Sequence, residues 1–172
     1  MNGARDNNLD WHAAHASQEI IRNTKKQKIK KNGKEEFVPA SSLDNLTTKT
    51  LGILQENSVY AALLYLYSRS EGEQLVAKQI RIQLLRLTSL FGLEPPIETE
   101  ANKQVAQDAI EALGFLTNQV CQDLDRLLLV KQLWEQTLIY TRYGAKAWDV
   151  EDEMAKDTNS AGEQTEKEKS QV

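Results

Sequence analysis

Apolar positions recur at intervals of three and four residues along most of this chain, and that spacing predicts amphipathic helices. The most apolar run is 53–67, Ile-Leu-Gln-Glu-Asn-Ser-Val-Tyr-Ala-Ala-Leu-Leu-Tyr-Leu-Tyr. Read as one helix from a cap at Asp44 or Asn45 to about Ser70, it places Ile53, Tyr60, Leu64 and Tyr67 on one face. Leu54, Ala61 and Tyr65 fall on the adjacent one. Its second half is too apolar for a single stripe, so neighbours should enclose it and make it the central post of the fold. Asn57 lies on the first face, where an amide needs a hydrogen bond or a place at the helix edge.

Other segments show the same period. A first helix, capped by Asp10, has Ala13, Ala16 and Ile20 on its apolar side, which is thin in large residues. It runs into lysines that suit the negative end of a helix dipole, and Asn32-Gly33 should end it. Residues 32–44 then read as a loop. A helix over about 73–91 aligns Val76, Ile80, Leu84, Leu87 and Phe91, with Lys78 and Arg81 on its other side and Arg86 further round. Gly92 and Pro95-Pro96 stop it. A fourth helix from about Glu98 turns Ala101, Val105, Ala109, Ala112, Leu116 and Val120 inward and breaks somewhere in 118–123. A last one, about 123–148, carries a seam of Leu127, Val130, Trp134, Leu138, Thr141, Ala145 and Trp148. Its second apolar strip, Leu129, Leu133, Tyr140 and Tyr143, implies either a fully interior helix or one that also faces a partner. Alternating, strand-like segments are absent from this reading.

The expected fold is therefore all-α, a compact bundle of about five helices. Residues 1–44 form an N-terminal helix and lysine-rich linker, 45–148 the bundle core, and 149–172 a disordered acidic tail. Charge sharpens that division. Seven basic and no acidic residues lie between Arg22 and Lys34, whereas eight acidic residues and three lysines follow from Asp149. The net charge of −4 averages over these blocks and says little about partners. No run is apolar for long enough to cross a membrane, and the N-terminal residues lack the apolar stretch of a signal peptide. The single Cys121 supports no disulfide framework and reads as a half-buried helix residue in a reducing cytoplasm.

Residues suited to catalysis are few. His12 and His15 stand three apart, but no carboxylate or thiol at helpful spacing completes a metal site, so no metal or other cofactor is expected. Asp123 and Asp125, two apart, do not share a helix face. No phosphate loop or nucleophile elbow is present. The chain reads as a protein without an active site. The lysine-rich segment is the more informative signal: Lys25, Lys26, Lys28, Lys30 and Lys31 form either a solvated linker or an arm that contacts phosphates. Lys78 and Arg81, with the stripe of Lys131, Arg142 and Lys146, would extend such a surface onto the bundle.

An Ala-rich first helix, a lysine-rich connection, Ile-Leu-Gln-Glu-Asn-Ser-Val-Tyr-Ala-Ala-Leu-Leu-Tyr-Leu (53–66) and a last helix from Leu133 to Trp148 follow in that order. This order resembles the small helical subunit of CRISPR RNA-guided effector complexes, most nearly that of type III. The family commonly shows Gln-x-Asn-Gly before an apolar helical run. Here Gln55-Glu56-Asn57 fits, and Ser58 stands where glycine is usual. The resemblance implies a non-catalytic cytoplasmic protein whose copies stack along the complex beside other subunits. Its basic surfaces would contact guide RNA and target RNA, or single-stranded DNA, through the backbone. Two other readings remain: a helical adaptor that binds only protein, and a DNA-binding regulator, for which no recognition helix is evident.

Overall fold

A computed structural model describes residues 8–31, 33–97 and 105–169; the side chains of Lys31, Val105, Ala106 and residues 152–169 lie outside the description. Among the described residues the fold is a bundle of six α-helices with one β-hairpin. Its first helix, α1 (Leu9–Lys25), is capped two residues earlier than predicted, because Asn8 rather than Asp10 accepts the free amide of Trp11 at 3.1 Å. Asp10 instead accepts a hydrogen bond from the Tyr140 hydroxyl. That carboxylate holds the Tyr140 proton, and the phenol titrates above its ordinary range. Ala13, Ala16 and Ile20 are buried as the spacing requires. The thin apolar side serves a close approach: α1 packs on the last helix, where Ile21 crosses Gly144 so tightly that a Cβ there would meet its side chain. α1 is thus a member of the bundle and not an appendage to it.

The lysine-rich segment does not extend α1 and is not a loop. Strands β1 (Lys28–Lys31) and β2 (Lys34–Phe37) pair antiparallel, Lys28 opposite Phe37 and Lys31 opposite Lys34. Asn-Gly between two such runs is the strongest short-range hairpin signal, since both turn residues must take φ > 0, and Gly33 sits at φ 77°. Ile29 faces the core and Val38 is buried behind it, so Lys28 and Lys30 point outward.

Helix α2 (Ala40–Asn57) starts four residues before its predicted cap, with Pro39 as the extended residue ahead of it. The expected central helix is in fact two, for the chain breaks at Ser58 and resumes as α3 (Val59–Tyr67). Ser58 adopts φ 82° and ψ −175°, a region that only glycine occupies without strain. The break rotates the apolar faces. Val59, Ala62, Leu63, Leu66 and Tyr67 go inward, while Tyr60 and Leu64, placed on the core face by a continuous helix, are 42% and 46% exposed. Asn57 ends α2 in solvent, so its amide needs no buried partner. Ser58→Gly should relieve the strain and raise the unfolding free energy by about 1 kcal/mol, net of the entropy a glycine adds to the unfolded chain. A lower denaturant midpoint in that variant would show the backbone is unstrained.

Helix α4 (Glu71–Leu87) buries Val76, Ile80, Leu84 and Leu87 as predicted, then tightens into a 3₁₀ turn, Thr88–Phe91, closed by Gly92 at φ 73°. The predicted start of the fourth helix, with Ala101, falls outside the described residues. Helix α5 (Val105–Phe115) buries Ala112 and continues as a π turn, Leu116–Val120, which leads to an exposed Cys121 rather than a half-buried one. Burial of part of that thiol still raises its pKa. The break at 121–123 is where the sequence put it. Asp123 then caps α6 (Leu124–Lys169), accepting the amide of Arg126 at 2.9 Å.

The α6 seam is the spine against which α1 and α2 pack. Val130, Trp134, Leu138, Ala145 and Trp148 are buried on it. Thr137 and Thr141 join them by donating to the carbonyls four residues back, at 2.8 Å each. The backbone stays helical well past the predicted end at 148, and Trp148 is the last core residue among the described side chains of α6. The sequence beyond 149 offers no apolar face, and a helix without tertiary packing is marginal in water.

Candidate nucleic-acid interface

The cationic residues singled out by sequence part into three groups. The first is structural. Arg81 is 1% exposed and does not reach the surface. Its Nη1 donates to the carbonyl of Leu66 at 2.9 Å and to Gln74 Oε1 at 3.1 Å, and its guanidinium lies 4.3 Å from the Tyr67 ring centre. Gln74 in turn donates to the carbonyls of Tyr67 and Arg69, at 3.1 and 2.6 Å. Together the two side chains satisfy carbonyls left over at the C-terminus of α3, where positive charge is favoured. The expectation of an RNA-contacting Arg81 is therefore corrected. A helical stripe places a residue on a face but cannot show which carbonyls await it there. Arg81→Gln should cost about 1–3 kcal/mol by orphaning a buried acceptor, seen as a lower melting temperature. Unchanged melting with weakened RNA binding would return Arg81 to the surface set.

Lys131 and Arg142 also join helices. Lys131 Nζ donates to the Gln55 carbonyl at 3.0 Å, and Gln55 Nε2 donates to Glu135 at 2.5 Å, which fastens α6 to the end of α2. Arg142 Nε lies 3.6 Å from Asp44 Oδ1. Lys146 is exposed.

The second group is on and beside the hairpin. Lys25 stands over the Trp148 ring at 5.0 Å and within 3.5 Å of Glu151. Lys28 stands over Phe37 and 3.7 Å from Glu35, the residue opposite Lys30 in the register. Lys31 is paired with Lys34, its own side chain outside the description. Glu35 and Glu36 thus dilute the positive field of the arm, which is acid-free in sequence only up to Lys34.

The third group is one that sequence did not assemble. Lys26 and Lys78 both line a cleft of about 680 Å³ between the end of α1 and one side of α4. α1 contributes Asn23, Lys26 and Gln27; α4 contributes Leu75, Lys78, Gln79, Ile82, Gln83 and Arg86; Ile97 closes one end. The α4 positions repeat every three or four residues, a stripe about 16 Å long. None of the described lining residues is acidic. Arg86 and the four amides were missed, although a signal existed: residues 74–93 contain three cations and no carboxylate. Pointing that run at α1 needed the tertiary fold.

A different surface lies on α6. Leu124, Leu128, Leu129 and Tyr143 are 67%, 54%, 42% and 63% exposed, and Leu129 lines a small groove with Leu9 of α1. Of the two outcomes open for the second strip of this helix, Leu133 is interior while Leu129 and Tyr143 face outward. Near the same end of α1, His15 stacks on Trp11 with ring centres 5.1 Å apart, and His12 meets its edge at 4.9 Å. Among the described residues no group of His, Cys, Asp or Glu is arranged to hold a metal, and no helix is long and apolar enough to cross a membrane. Comparison with protein-family models, with curated proteins and with solved structures found no match to the chain.

Proposed function

We propose that this chain is a non-catalytic structural subunit of a CRISPR RNA-guided effector complex, acting in the cytoplasm and contacting guide or target strands through a basic surface. The observation that carries this reading is the cleft between α1 and α4, where Lys26, Lys78 and Arg86 line walls that carry no carboxylate among the described residues. Such a cleft attracts a polyanion even on a chain of net negative charge, because the acidic residues are concentrated beyond 149. Two features add support. The backbone at Ser58 has the glycine-like conformation expected where the family usually has glycine. The exposed leucines of α6 suit a neighbouring subunit or another copy of the chain. Those leucines equally favour the second reading, a helical adaptor that binds only protein.

The two readings separate on purification of the native assembly. An RNA-guided complex should yield sister subunits together with a ribonuclease-protected RNA that carries repeat-derived sequence. Protein partners without RNA would establish the adaptor instead.

A further inference from the structure

We propose that the cleft between α1 and α4 admits an unpaired nucleotide with its base turned inward, so that this chain recognises single-stranded nucleic acid and does not merely lie along a phosphate backbone. The inference rests on the reading above that the cleft contacts nucleic acid.

Its ground is the chemistry of the walls. Phosphate oxygens only accept hydrogen bonds, so a surface built for them needs donors alone. Here Gln79 and Gln83 of α4 line the cleft together with Asn23 and Gln27 of α1. Each amide both donates and accepts, which matches the edge of a base and is half unused on a phosphate. Ile82 lies on the same stripe and supplies apolar surface for a ring face. The cations flank these groups. Lys78 and Arg86 stand eight residues apart on α4, about 12 Å along its axis, and Lys26 is on the opposite wall. A volume of about 680 Å³ lies within the usual range of small-ligand sites, and paired bases in a duplex could not turn their edges into it. An amide reorients to suit any base, so little sequence preference is expected.

The test uses the full-length protein and three ligands of equal length at one salt concentration: an octauridine, the same ribose-phosphate chain without bases, and an RNA duplex. Binding is followed by NMR titration, which tolerates weak affinity. The octauridine should bind about tenfold tighter than the abasic strand and the duplex, the size of one good base contact. Gln79→Ala, at a half-exposed position, should shrink that ratio to less than about threefold while leaving abasic affinity unchanged. Lys26→Gln with Arg86→Gln should weaken all three ligands and preserve the ratio. Equal binding of octauridine and abasic strand by the parent protein overturns the inference and leaves backbone contact standing. Absence of binding to any of the three, alone and in the reconstituted complex, overturns both.

Discussion

Leu63→Ala is expected to lower the unfolding free energy by about 2–5 kcal/mol, and Leu64→Ala, its neighbour, by less than about 1 kcal/mol. Leu63 is fully buried on α3, and truncation would leave a cavity between close-packed helices. Leu64 is 46% exposed, so its loss removes little burial and opens no enclosed space. For a chain of this length the first change should lower the melting temperature by between about 4 and 20 °C. A total margin of about 5–15 kcal/mol makes that a large fraction of stability. Leu138→Ala, on the α6 seam, belongs with Leu63. Equal melting temperatures for the Leu63 and Leu64 variants would mean that α2 and α3 form one unbroken helix, the arrangement that puts Leu64 in the core. Thermal denaturation of three single variants decides the point.

The contrast between these neighbours shows how far the sequence can be read. Period alone located α4 and the α6 seam, because Val76, Ile80, Leu84 and Leu87, like Val130, Trp134 and Leu138, run through helices without interruption. It erred in 53–67 for a definite reason. One residue in a non-helical conformation resets the phase of everything after it, and Ser58 is not a residue type that announces φ > 0. The hairpin was hidden differently. Its strands are four residues long and mostly charged, with Ile29 as the one inward apolar residue of β1. Asn32-Gly33 was therefore taken for a helix end, whereas Lys31 and Lys34 on either side of it pair as strands.

The site was less legible than the fold. Sequence could nominate cations but not partners, so Arg81, Lys131 and Lys78 looked alike. The fold separates them: Arg81 turns inward to the end of α3, Lys131 reaches the Gln55 carbonyl, and Lys78 lines the cleft. The amides were passed over because glutamine on a helix face carries no signal until a second wall stands opposite.

That sorting of cations leads to the other large effect, on the salt dependence of RNA binding. On single strands each phosphate contact contributes about 0.7 to the slope of log affinity against log salt. Substituting glutamine for Lys26, Lys78 and Arg86 should flatten the slope by about 2 units. Substituting Lys28 and Lys30 should flatten it by less than about 1, since Glu35 already offsets part of their charge. Lys131→Gln and Arg142→Gln should leave it unchanged, because both side chains are engaged between helices. One isolated copy should bind weakly, on the order of 10⁻⁴ to 10⁻⁶ M at physiological salt, as non-specific phosphate contacts do. Copies held side by side gain by effective concentration, and by the same arithmetic lose more from each damaged cleft. The cleft variant should accordingly show its largest defect, beyond about tenfold, in the assembled complex. A hairpin variant with the greater loss of slope would move the nucleic-acid path from the cleft to β1. Unchanged slopes in both variants would leave the exposed leucines of α6 as the functional surface, and the protein-binding adaptor as the better account.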